Sequence, residues 1–161
     1  MKNARMLQNL DKIISIISLN LITGLLLMVS SSVIAEPDAL ALSQAGEQFY
    51  QSGQYEDAIE AFKKAVEIEP ENAEYHHWLG KSYGQLASQS GIFKAYSLSK
   101  KTKEQFERAV ELDDSDVDAL ADLLKYYEQA PVFLGGGAEK AEKIRRRLKE
   151  LNYNEFEKPD V

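Results

Sequence analysis

Apolar residues in the first third of the chain's polar part recur at helical spacing. Between Ala39 and Asn72, Leu42, Ala45, Gly46 and Phe49 fall three and four residues apart and share one face. Gly53 interrupts the run. Tyr55 opens a second, with Ile59, Phe62, Ala65, Val66 and Ile68 inward before Pro70 stops it. The small residues Gly46, Ala58 and Ala65 let two backbones approach, and the large ones fill the space between. This predicts two amphipathic helices joined by a turn. Pro37 suits a first helical position, and Asn72 can cap the helix that follows.

The same spacing finds a second pair. Gly80 and Tyr83 stand 34 residues after Gly46 and Phe49, whereas Phe106, Ala109 and Leu112 stand 44 after Phe62, Ala65 and Ile68. Ten residues are therefore inserted within Leu86–Lys101. Ile92, Ala95, Tyr96 and Ser99 keep helical spacing after Gly91, which predicts a lengthened helix from about Ile92 to Leu112 that projects past its partners. Phe93 and Tyr96 are expected to pack on a neighbouring element. A third pair begins at Ser115, an N-cap candidate with Asp118 three residues on. Leu120, Leu123, Leu124 and Tyr127 keep the 44-residue register with His76, Leu79, Gly80 and Tyr83. Pro131 ends that helix, Gly135–Gly137 make a tight reversal, and Ala138–Leu151 is the last helix, with Ala141, Ile144, Leu148 and Leu151 inward. Arg145 stands there where Phe62 and Phe106 stand in the earlier pairs.

An aromatic, then Leu-Gly, then Tyr, then Ala-x-x-x-Phe, then Pro over 34 residues resembles the tetratricopeptide repeat (TPR). The resemblance implies an all-α fold, a right-handed superhelix of antiparallel helix pairs. It has three repeats at about 39–72, 73–116 and 117–152, the second enlarged and the third degenerate, as terminal repeats often are. Trp78–Gly84, the long helix and the Ala-Pro-x-x-Leu-Gly-Gly-Gly loop also resemble exported bacterial TPR proteins. In that family the first helices line a concave groove where partners lie. By resemblance the groove takes Ser43, Glu47, Tyr50 and Gln51 from the first repeat. The second contributes His77, Trp78, Lys81 and Gln85, and the third Ala121, Asp122, Lys125 and Gln129. Repeats that grip a chaperone's C-terminal carboxylate carry Lys and Asn where Ser43 and Glu47 stand, so that specialised role does not transfer.

The start of the chain has a different character. Lys2, Arg5 and Lys12 precede an apolar run from Ile13 to Val29, and Val33 and Ala35 supply the small pair of a signal-peptidase site. Residues 1–35 read as a signal peptide, with an uncleaved membrane anchor as the alternative. Residues 36–152 then form the helical domain and 153–161 a polar tail that frays or folds back. Both readings place the domain outside the cytoplasmic membrane, in the periplasm or beyond. Without the leader the chain holds 16 basic and 25 acidic residues, a net charge of −9. Such a chain has no footprint for nucleic acid and is repelled by anionic lipid, leaving membrane contact only through an uncleaved leader. With no cysteine there is no disulfide, thiolate zinc site or cysteine nucleophile.

No catalytic constellation stands out. His76 and His77 are adjacent and point about 100° apart, unlike metal ligands spaced four apart on a helix. His76 takes a packing position and His77 falls on the open face. The glycine run lacks the Lys-Ser/Thr pair and preceding strand of a phosphate loop. No enzyme, metal or cofactor is implied. The expected function is a non-enzymatic, exported interaction module that holds a peptide or partner protein in its groove, through Glu47, Tyr50, His77, Trp78, Lys81, Gln85, Lys125 and Gln129. The alternative is a small-ligand-binding accessory to solute uptake.

Overall fold

Six helices and no strand make up residues 38–151, which the computed structural model describes. The leader, Pro37 and the tail from Asn152 onward lie outside the described residues. The helices are α1 (Ala39–Gln51), α2 (Tyr55–Ile68), α3 (Ala73–Ser88), α4 (Ile92–Leu112), α5 (Val117–Gln129) and α6 (Ala138–Glu150). A 3-10 turn, Val132–Leu134, separates the last two. No helix among the described residues is long and apolar enough to cross a membrane.

Caps mark the first helix of each pair. Asp38 accepts from the Ala41 N–H at 2.7 Å, Asn72 from Tyr75, and Asp116 from Asp118 and Ala119. Ser115 is therefore not the cap of α5. Its amide and hydroxyl are both held by Asp113 one turn earlier. The second helix of each pair starts without a side-chain cap, because its start is fixed by a turn packed on the helix before it. Gly53 makes the first of these turns at φ 75°, where a side chain would strain the backbone.

Each helix packs on the next in sequence, and α3 with α4 share the largest interface. The core follows the array. Ala39, Ala65 and Tyr75 form its first part, Ile59, Phe62, Leu79, Tyr83 and Leu98 its middle, and Phe106, Leu120, Leu124, Ile144 and Leu148 its end. Gly46 and Gly80 receive the rings of Phe62 and Phe106, which lie within 3 Å of where a Cβ would stand. Ile68 was expected inward but is 52% exposed at the end of α2. Ser43, expected in the groove, is buried in α1.

α4 spans 21 residues, against 14 for α2. Leu98 and Thr102 bury its middle. Tyr96 packs on a neighbouring element as expected, stacking on Phe133 of the 3-10 turn, whereas Phe93 does not and is 91% exposed. Gly136 is forced at the reversal, since a Cβ there would lie 1.8 Å from the Ala130 carbonyl oxygen.

Candidate functional site

The first helices α1, α3 and α5 face one open recess of about 300 Å³. Tyr50 enters from α1, Lys81 and Gln85 from α3, and Lys125 and Gln129 from α5. Five of the eight residues expected in the groove thus meet at one place. Four-residue spacing on α3 (Lys81, Gln85) and on α5 (Lys125, Gln129) keeps each pair on one helix face. Lys81 and Lys125 make no ion pair among the described residues. Burial raises the Tyr50 hydroxyl above its ordinary pKa, partly countered by its hydrogen bond with Gln85.

Trp78 lies at the border between groove and core. It is half-buried, stacked on Phe62 at 5.8 Å with planes 5° apart, and met edge-on by Tyr50 at 5.3 Å. The Lys81 ammonium sits 4.2 Å from its ring centre and 5.8 Å from that of Tyr50. This cation–π arrangement holds the charge in place without a carboxylate. Trp78 and His77 do not line the first recess; with Lys81, which lines both, they border a second one of about 380 Å³, walled by Asp113, Asp116 and Asp118. The negative wall makes that side unfit for an anion.

His77 corrects the sequence reading. It is 6% exposed, not open, because its Nε2–H donates to Asp122 at 2.8 Å and its ring packs on Phe106. The pair ties α3 to α5, and Asp122, one oxygen held by His77, still lines the recess beside Lys81 and Lys125. His76 is buried between helices as its register implies, with its ring nitrogens against Gln105 and the Pro70 carbonyl. Glu47 is half-buried on α1 and lines neither recess.

A larger cleft, about 620 Å³, opens between α4, α5 and α6, and no sequence motif pointed to it. Leu120, Leu123 and Ile144 floor it. Its rim charges are paired within the chain: Arg147 with Asp114 at 2.9 Å, Lys140 with Glu107 at 3.9 Å. Glu107 also accepts from Tyr127 at 2.7 Å and Lys103 at 3.0 Å. Burial pushes the Glu107 carboxyl up, but these hydrogen bonds outweigh it and leave it below its ordinary range. Burial and the same carboxylate push the Tyr127 hydroxyl up. Lys143 also lines the cleft and is in no ion pair among the described residues, so one ammonium stands there beside the paired charges. No group of His, Asp and Glu among the described residues is placed to hold a metal ion.

Comparison with known proteins agrees with this architecture. Residues 46–86 match the family described as TPR repeat. The first TPR of Spaghetti (RPAP3), bound to HSP90 peptide SRMEEVD, shares 24% identity at a TM-score of 0.57, over 74% of this chain and 85% of that one. The second TPR of the same protein, bound to the same peptide, gives 20% and 0.56, over 71% and 92%. Human IFIT1, as a dimer with PPP-AAAA, gives 22% and 0.58 over 72% of this chain but 26% of that one. No curated protein sequence matches. The fold is that of a TPR-like helical-repeat array.

Proposed function

We propose that this chain is a non-enzymatic interaction module that holds an extended peptide, acidic or ending in a free carboxylate, in the groove of α1, α3 and α5. The observation that carries the reading is the meeting of Lys81 and Lys125 in a recess walled by Tyr50, Phe106 and Tyr126, where two ammoniums outside any ion pair among the described residues face one carboxylate, Asp122. An extended peptide satisfies such a site well, since its carboxylate meets the ammoniums and an apolar side chain meets the Trp78 edge. The two RPAP3 domains were determined with an acidic peptide bound, and their likeness in fold is consistent with this use of the groove. The specialised chaperone-binding role is not assumed, because Ser43 and Glu47 stand where repeats with that role carry Lys and Asn. The basic start and apolar run of residues 1–35 support placing the module in the periplasm, after cleavage or on an anchor.

The test is selection from a peptide library displayed with free C-termini, with photo-crosslinking groups at Gln85 and Gln129. Selected peptides are expected to crosslink at these positions and to be lost on Lys81→Glu with Lys125→Glu. Crosslinking no greater at Gln85 and Gln129 than at Lys64 on α2 would contradict the groove.

A further inference from the structure

Apart from the groove, the chain exposes an apolar tip. Ile92 and Phe93 of α4 are 80% and 91% exposed, and Val132 and Phe133 of the 3-10 turn are 81% and 73% exposed. Two segments meet there, joined by the Tyr96–Phe133 stack at 6.3 Å. The Tyr126 hydroxyl lies 3.0 Å from both the Ser99 and Leu134 carbonyl oxygens, which share its single proton. Gly136 and Gly137 close the turn through bonds to Pro131 and Tyr127. The exposure is therefore built into the backbone, at a position where large apolar side chains lose hydration energy and gain no packing.

We propose that this tip inserts into the surface of an anionic lipid bilayer. The four side chains project from a helix start and a one-turn loop, and the charge around them favours a bilayer. The chain is acidic as a whole, yet Gln89–Lys103 holds four lysines and no acidic residue. Lys94 and Lys100 flank the tip, and Lys103 and Lys140 adjoin Gly135 behind it. The carboxylates facing this set are Glu56 on Lys94 and Glu107, shared by Lys103 and Lys140, so four ammoniums stand against two carboxylates and Lys100 is in no ion pair among the described residues. Apolar and aromatic side chains with lysines beside them are the composition of interfacial insertion. Net charge repels the rest of the protein from such a surface, which leaves the tip as the point of approach.

The chain has no cysteine, so a single introduced thiol can be labelled cleanly. Full-length protein carrying an environment-sensitive fluorophore at Phe133→Cys, or as a control at Lys64→Cys, is reconstituted with vesicles containing phosphatidylglycerol and brominated lipid. A blue shift and bromine quenching are expected at position 133 and not at 64. Both are expected to be lost on uncharged vesicles and in Lys94→Glu with Lys100→Glu, while Trp78 emission stays constant and reports an intact fold. Equal quenching at both positions, or none at 133, overturns the proposal. A blue shift that appears without vesicles and grows with protein concentration overturns it too, in favour of a second copy covering the tip.

Discussion

The Lys81 ammonium stands over the Trp78 ring at 4.2 Å, and Phe62 stacks parallel to the same ring at 5.8 Å. The indole is therefore partly shielded, and it brings a fixed positive charge to the groove. Lys81→Ala should uncover one face. Since Trp78 is the chain's one tryptophan, acrylamide quenching of its emission should rise in Lys81→Ala and stay unchanged in Lys125→Ala. Equal quenching in all three proteins would show that the lysine does not hold this position in solution.

Gly80 and Gly84 lie one turn apart on α3 and make opposite demands. A Cβ on Gly80 would meet the Phe106 ring at 2.6 Å, whereas one on Gly84 would meet Thr102 at an ordinary 3.5 Å. Gly80→Ala should cost about 1–3 kcal/mol through overpacking. Gly84→Ala should be neutral or stabilise by about 0.4–1 kcal/mol, because it restricts the unfolded chain. Urea denaturation of the two variants measures the contrast.

How much of this was legible in the sequence follows from what each residue needs. Gly46 and Phe62, and Gly80 and Phe106, announce themselves because a close helix approach requires a missing side chain opposite a large ring. Caps next to alternatives were less legible: Asp116 and Ser115 are both good N-caps, and only the turn from Asp113 decides between them. His77 was misplaced because its neighbour across the repeat, Asp122, lies 45 residues away in sequence. Phe93 was expected to be covered because apolar residues usually are. Its exposure depends on where the α4 start ends in space, which spacing along one helix does not encode. The α4–α5–α6 cleft was invisible for the same reason.

Glu107 ties stability to acidity. Its folded-state pKa is lowered, so the fold favours the anion, and the stability it contributes is complete above the unfolded value of about 4.3. That contribution should disappear as pH falls through the lower folded value. Glu107→Gln should cost about 1 kcal/mol at neutral pH, allowing for solvent screening of a side chain 36% exposed. The difference from wild type should shrink as pH drops below 4. Thermal melts across that range check it, and a gap independent of pH would refute the assignment.

The groove assignment is tested most directly by the affinity of one selected peptide at two ionic strengths. Wild type and Lys81→Ala with Lys125→Ala are titrated with the peptide bearing a free C-terminus and with its amidated form. At low salt the double variant should bind the free-carboxylate peptide about tenfold more weakly, which corresponds to about 1.4 kcal/mol. The gap should narrow at physiological salt, where exposed charges are screened within about 8 Å, and shrink for the amidated peptide. A double variant that binds the free-carboxylate peptide as tightly as wild type at low salt would contradict the account.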